Sequence, residues 1–352
     1  MMGTLILPVA GRSSRFPGMR PKWLLTMPDG KLMLEKAIEK LDFSCFERVI
    51  LVCLQEHLDE YISGEMILEI LGSIPDLNAE LCILDAPTNS QSETVAKCLT
   101  LSAVNGPFFV KDCDNSFEYS WSGSNEVAVL DLNEVGLIDA KNKSYVTIDA
   151  LGSVTNIVEK QVISNFFCCG GYGFEDAAMF MEHFQSISGT QEVYLSHVIY
   201  SMLMARVPFK VNKASLYEDW GTLREFRHYS KQFFTLFCDV DGVLLVNGSK
   251  FGKNGWNTSP ISENLTTIAR LQKTGHLYLV ITSSRPESQI PYLQERLREY
   301  GVIPDRFVMG LPHARRILVN DYSATNPFPS AMSVNLERDS IGLSAMLDSI
   351  SS

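Results

Sequence analysis

Two kinds of residue in this 352-residue chain have the types and spacing for phosphate chemistry. The first kind is cationic. Gly11, Arg12, Ser13, Ser14 and Arg15 follow directly on the apolar run "TLILPV", and Arg20 and Lys22 come a few residues later. A small-residue loop after a strand exposes several backbone N–H groups, and with Arg and Lys beside them it can cradle a triphosphate. Gly11 permits close approach of the backbone. On its own the same arrangement also describes an ordinary surface turn. The second kind is acidic. Asp112 and Asp114 stand two apart after "PFFVK", Asp219 lies in "YEDWGT", and Asp239 and Asp241 stand two apart after "FTLFC". For Asp239 and Asp241, adjacent same-face carboxylates directly after a strand are costly unless a cation neutralises them or one has a chemical task. Asp112 or Asp114 as turn residues, and Asp219 as the cap of a helix beginning near Thr222, are the competing structural readings.

These loops have to be carried by strands, and the chain supplies them. The runs "TLILPV", "RVILVCL", "ELCILD", "PFFVKD" and "EVAVLDL" read as strands, and "KLMLEKAIEKL" and "ETVAKCLTLSAV" carry the spacing of helices with one buried face. Strands alternating with helices predict an α/β fold built on a doubly wound sheet, with ligands outside the carboxyl ends of the strands. "AGRSSR" is thereby placed at a binding crevice. The stretch from Ser144 to Phe174 reads instead as consecutive strands, an antiparallel addition, before helices at "EDAAMFMEHFQSI" and "EVYLSHVIYSMLMAR". A second α/β pattern starts at "FTLFCDVDGVLL" and continues with a helix near 262–273, the strand "HLYLVI", a helix near 288–299 and the strand "RRILV". The boundary is expected near Lys231, giving domains 1–231 and 232–352. No Gly/Ser-rich or Pro-rich linker separates them, so they are expected to pack together.

Composition narrows the function classes. At 45% hydrophobic the chain can bury a large core, and its length suits about two domains at ~150 residues each. A net charge of -11 argues against broad nucleic-acid or anionic-membrane binding, which needs a wide positive field. Any anion is bound locally. The eight cysteines show no CxxC and no zinc spacing, and most lie in apolar runs, as buried reduced thiols do. There is no signal-peptide pattern and no apolar window of membrane-spanning length. The chain is expected to be soluble and cytoplasmic.

"LPVAGRSSRFPGMRPKWLL" resembles the signature of sugar-phosphate nucleotidyltransferases, a strand, AGxGxR and then PKxL. The family's later segments have counterparts in the same order. "SQSETVAKCL" resembles the helix start that meets the nucleotide base, "VKDCDNSF" the strand-end acidic motif, "VEKQVISNFFCCGGYGF" the sugar-contacting region and "YEDWGTLREF" the second acidic motif. The resemblance implies a mixed-sheet nucleotidyltransferase domain in which Gly11, Arg12, Ser13, Ser14 and Arg15 hold the triphosphate. Arg15 would counter charge on the leaving pyrophosphate, and Lys22 would bind the acceptor phosphate and the α-phosphate. Gln91, Glu93 and Thr94 would meet the nucleotide. Asp114, with Asp112 as its competitor, and Asp219 would hold Mg²⁺, while Glu159, Lys160, Asn165 and Gly171 would face the acceptor. Ser13 departs from the family's second glycine, and its hydroxyl could serve a phosphate instead.

"FTLFCDVDGVLL" resembles motif I of haloacid dehalogenase-like (HAD) phosphatases, "LYLVITSSRPE" resembles motif II and "RRILVNDY" motif IV. The resemblance implies a small Rossmann-like domain with Asp239 as the nucleophile that forms an aspartyl-phosphate and Asp241 as general acid and base. Thr282 would bond the phosphoryl group. Asp321, with Asn320 beside it, would join Asp239 and the carbonyl of Asp241 in holding Mg²⁺. The lysine of the family's third motif has no counterpart in "GLPHARRILVND", and Arg315 or Arg316 could supply its charge, as a planar fork rather than a compact ammonium. The gaps from Asp239 to Thr282 and from Thr282 to Arg315 leave no room for a large cap domain.

Together the two resemblances imply a bifunctional enzyme. One half would join an NTP to a sugar or polyol phosphate, with CTP favoured among the nucleotides, and the other would remove a phosphate, in the synthesis of capsule or lipopolysaccharide precursors. A homo-oligomer is compatible with the sequence. The alternatives are a monofunctional transferase whose second half is a structural or oligomerisation module, and a nucleotide-sugar sensor without turnover.

Overall fold

Gly3–Pro8 is buried over all but its last residue, and this strand, β1, is the axis on which the first part of the chain is built. In the computed structural model residues 2–12, 15–75, 77–135, 139–189, 192–321 and 331–351 are described. The chain divides into two compact units, Met1–Phe226 and Arg227–Ser352. After β1 the first unit runs through α1 (Met33–Ile38), β2 (Phe46–Leu54), α2 (Gln55–Glu60), α3 (Gly64–Gly72), β3 (Asn78–Leu84) and α4 (Gln91–Leu101). It continues through β4 (Phe108–Lys111), β5 (Asn115–Glu118), β6 (Glu126–Asp131), β7 (Ser144–Ile148), β8 (Val154–Glu159) and β9 (Phe166–Phe174). Then come α5 (Ala177–Ile187), α6 (Leu195–Met204), β10 (Lys210–Lys213), β11 (Ser215–Asp219) and α7 (Leu223–Lys231), inside which the division between units falls.

The main sheet has the order β10-β6-β9-β4-β1-β2-β3, with β7 and β8 attached beside β9. β1 pairs in parallel with both β2 and β4, so successive strands diverge from it in two directions. A crevice opens at the carboxyl ends on either side of such a switch point. β9 is antiparallel to β4 and β6, which makes the sheet mixed. Alternate residues of β1 serve opposite faces. Ile6 packs with Val95, Cys98 and Leu99 of α4, while Leu5 and Leu7 pack with Leu34 and Ala37 of α1 and Ile67 and Leu71 of α3. Helices therefore cover both faces. A separate two-stranded ribbon joins β5 to β11.

The second unit contains β12 (Phe234–Asp239), α8 (Ser262–Gln272), β13 (Leu277–Thr282), α9 (Ile290–Arg298), β14 (Arg306–Val308) and α10 (Leu343–Ser351). Its strands are parallel, in the order β12-β13-β14. The sequence predicts a strand at "RRILV", and the structure differs: residues 315–319 have no regular structure, and Ile317 and Val319 are 76% and 89% exposed. A β-branched run becomes a strand only where a neighbour takes its backbone hydrogen bonds, and the place beside β13 is taken by Arg306–Val308. Among the described residues no helix is long and apolar enough to cross a membrane.

Candidate functional site

The β5–β11 ribbon brings together carboxylates that lie far apart in sequence. Asp219 pairs with Asn115 across it, and the Trp220 N–H donates to the Asp114 carbonyl at 2.9 Å. The side chains of Asp114 and Asp219 then meet beside Gly221. A methyl group on that glycine would stand 3.1 Å from Asp219 Oδ1, 3.4 Å from Asp114 Oδ2 and 3.7 Å from Arg15 Nη1. The cations are equally close. Lys22 donates to Asp114, Arg15 Nη2 lies 3.7 Å from the same oxygen, and Lys143 forms an ion pair with Asp219 and donates to Tyr217 Oη at 2.9 Å. Lys22 sits in a single 3-10 turn, Lys22–Leu24, anchored by buried Trp23, whose indole N–H donates to His57 Nδ1 at 3.4 Å.

Asp219 is free of the capping task that a helix start near Thr222 suggests. Thr222 Oγ1 accepts the Glu225 N–H at 3.4 Å while Glu225 Oε2 accepts the Thr222 N–H at 2.8 Å, a reciprocal cap for α7. Asp219 Oδ1 accepts instead from the Gly221 N–H at 3.0 Å.

The acidic loop after β4 holds its two carboxyls in different states. Burial and the neighbouring Asp114 charge push Asp112 up to about 6, against the Gln91 amide that donates to it. Burial also works against Asp114, but Lys22 and Arg15 outweigh it and hold that carboxyl well below the usual range. Lys111 lies beneath the loop, fully buried, donating to the carbonyls of Asp112 at 2.5 Å and Asn115 at 2.9 Å and to Asn115 Oδ1 at 2.7 Å. Two carboxylates aimed at one nook fit Mg²⁺, with phosphate oxygens completing the ligand set. Among the described residues no three His, Cys, Asp or Glu side chains gather at one point.

Solved structures share this architecture. A nucleoside-diphosphate-sugar pyrophosphorylase from Vibrio cholerae RC9 superposes with a TM-score of 0.54 at 18% identity, over 64% of this chain and 99% of that one. An inositol-1-phosphate CTP transferase from T. maritima gives 0.53 at 18% identity, over 64% and 91%. A UDP-glucose pyrophosphorylase complexed with UDP-glucose gives 0.51 at 17%, over 65% and 97%. The first unit has the nucleotide-sugar pyrophosphorylase fold. The chain matches no protein-family model, and no curated protein matches it.

Within the pyrophosphorylase-fold unit, the residues singled out from sequence have different fates. Gly11 and Arg12 are exposed after β1, with open space around Gly11, while Ser13 and Ser14 lie outside the described residues. Gln91 points to the acidic loop through Asp112. Glu93 accepts from the Asn89 N–H at 2.8 Å and pairs with Lys97 at 3.0 Å, and buried Thr94 is bonded to Thr88 at 2.5 Å, so both serve α4 itself. Glu159 accepts from Ser144 and, at 2.7 Å, from Ser196. Lys160 donates to Tyr194 Oη at 2.5 Å, and Asn165 is exposed. Gly171 faces the core: a methyl group there would strike Phe109 at 2.7 Å and Phe117 at 3.0 Å. Its neighbour Gly170, with φ +95°, is the glycine that fronts the acidic loop. Sequence reading missed Gly170, Lys111, Lys143 and Gly221. Gly221 stood inside a quoted motif, but nothing local in the sequence marks Lys143.

The second unit gathers a smaller set. Parallel pairing puts Asp239 beside Thr282 at the ends of β12 and β13. Arg316 reaches both, Nη2 lying 3.4 Å from Asp239 Oδ1 and Nη1 3.3 Å from Thr282 Oγ1, whereas Arg315 is exposed elsewhere on the segment. Asp241 is held by Arg285, a fully buried residue absent from the sequence reading, through Nε at 2.9 Å and Nη2 at 2.6 Å. Here too, among the described residues, no three His, Cys, Asp or Glu side chains gather at one point, and Asp321 is exposed beyond the strandless segment.

Proposed function

We propose that the pyrophosphorylase-fold unit transfers a nucleotidyl group from an NTP to a sugar or polyol phosphate and releases pyrophosphate. The observation that carries this reading is the convergence of Asp114, Asp219 and Arg15 on the nook at Gly221, with Lys22 bonded to Asp114. An oxygen of the acceptor phosphate attacks the α-phosphorus, and the bond to the β-phosphate bridging oxygen breaks with its electron pair leaving on pyrophosphate. Lys22 offsets the repulsion between the two anions, and Arg15 counters charge growing on the leaving group, so positioning and electrostatics supply the catalysis. Asp114 and Asp219 would hold Mg²⁺, which would supply further charge neutralisation at the phosphate oxygens. The neighbour named as an inositol-1-phosphate CTP transferase supports CTP as the first nucleotide to try. The product would feed synthesis of a surface glycan such as capsule or lipopolysaccharide.

For the second unit we propose a HAD-like phosphatase, with Asp239 as the nucleophile, Asp241 as the proton carrier, Thr282 on the phosphoryl group and Arg316 as the local cation. Its support is the placement of Asp239, Thr282 and Arg316 together. The absence of the third-motif lysine from "GLPHARRILVND" favours a second reading, a module that orders or oligomerises the transferase. A matrix of four NTPs against sugar and polyol phosphates, scored for pyrophosphate and inorganic phosphate in parallel, tests both units. Pyrophosphate from at least one pair is expected, and Asp239→Asn should abolish phosphate release while pyrophosphate release is unchanged. If Asp239→Asn alters neither, the second unit is the module.

A further inference from the structure

Among the described residues Lys22 and Arg15 meet Asp114, and no cation is paired with the Asp112 carboxyl. Its Oδ1 takes the Gln91 amide, and among the described residues nothing donates to its Oδ2. That oxygen is aimed across β4 at β9, where it stands 2.6 Å from the position a methyl group on Gly170 would occupy. Asn115 Nδ2 stands 2.7 Å from the same position. Gly170 is held there by the Asp112 N–H, which donates to its carbonyl at 2.8 Å, and its φ of +95° is one that residues with side chains rarely adopt. An acceptor and a donor thus flank a bare backbone at the carboxyl end of β4. The arrangement is rigid, because Gln91 opens α4 and Asn115 is fixed by Lys111.

Asp112 is half-buried, and with Oδ1 held by Gln91 its Oδ2 is left on the β9 side of the loop, where a ligand group can reach it. We propose that Asp112 is a specificity-determining residue that accepts a hydrogen bond from a hydroxyl group of the bound ligand, with Asn115 available to donate to the same oxygen. The proposal rests on the reading of this crevice as the nucleotidyl-transfer site. The hydroxyl belongs either to the ribose of the nucleotide or to the acceptor, since the loop lies between the α4 start and β9. In either case a ligand lacking that hydroxyl leaves Asp112 unpaired and is rejected, as sites built to bond a hydroxyl reject analogues without one.

The test pairs ligand and protein changes. CTP is compared with 2′-deoxy- and 3′-deoxy-CTP, and glucose 1-phosphate with its singly deoxygenated forms, by calorimetric binding and by kcat/KM for pyrophosphate release. Wild-type protein should disfavour one analogue in one of the two series by roughly 10- to 100-fold. Asp112→Ala should reduce that single discrimination to within about threefold and leave the others unchanged, and Asp112→Asn should fall between them. Discrimination in binding without any pyrophosphate would uphold the role of Asp112 and remove the transferase reading. Equal losses for every analogue in Asp112→Ala, or no discrimination by wild type in either series, would overturn the proposal.

Discussion

A methyl group at Gly221 would fill the space between Asp114, Asp219 and Arg15, whereas one at Gly11 would meet nothing within 4 Å. The two glycines of the site therefore do different work. Gly221→Ala is expected to lower kcat/KM for pyrophosphate formation by about 100-fold, the effect of a displacement of about 1 Å in reacting groups. Its melting temperature should stay within a few degrees of wild type, because φ at 221 is not in the left-handed region and the atoms in the way are those of the site. Gly11→Ala should leave the unliganded protein unchanged in stability and act only on nucleotide binding, by the loss of close backbone approach. Steady-state kinetics beside thermal denaturation of both variants checks this. Equal behaviour would mean that the nook at Gly221 is not where the chemistry occurs.

At the scale of elements, the sequence was legible where a single segment both forms and fills its role. Strands β1 to β4 and β6, the antiparallel group β7 to β9 and helices α4 to α6 arise where the apolar runs put them, because each buries one face or both in the core. The "RRILV" segment shows the limit, since composition favours a strand but pairing decides one. Lys143 shows another, for only the tertiary position of β7 makes it the partner of Asp219. The turn that carries Lys22 depends on Trp23 and hence on His57, whose imidazole burial pushes below its ordinary 6.5. A depressed histidine binds its proton more weakly in the folded than in the unfolded chain. Its stabilising contribution is thus fully present above 6.5 and lost as pH falls through that value towards the folded pKa. Wild-type stability in urea should fall between pH 7.5 and 5, and His57→Gln should show a smaller fall. The same pH dependence in both proteins would exclude His57 as its source.

For the whole molecule, the chain divides into two compact units inside α7, and "FTLFCDVDG" opens the parallel strands of the second. What remained hidden was which charges meet. Arg285 is buried against Asp241 although it stands in an unremarkable loop after β13. A buried guanidinium is retained only against a large desolvation cost that its carboxylate partner offsets, so that pair orders the second unit whether or not the unit turns over substrate. The central claim concerns the first unit, and acceptor-dependent release of pyrophosphate from an NTP in the presence of Mg²⁺ tests it most directly. The account predicts release equal in amount to the nucleotide-linked product for wild type, and a fall of at least about 100-fold in Lys22→Ala at unchanged stability. Release that continues unabated in Lys22→Ala, or none from any pairing of NTP and acceptor, would contradict it.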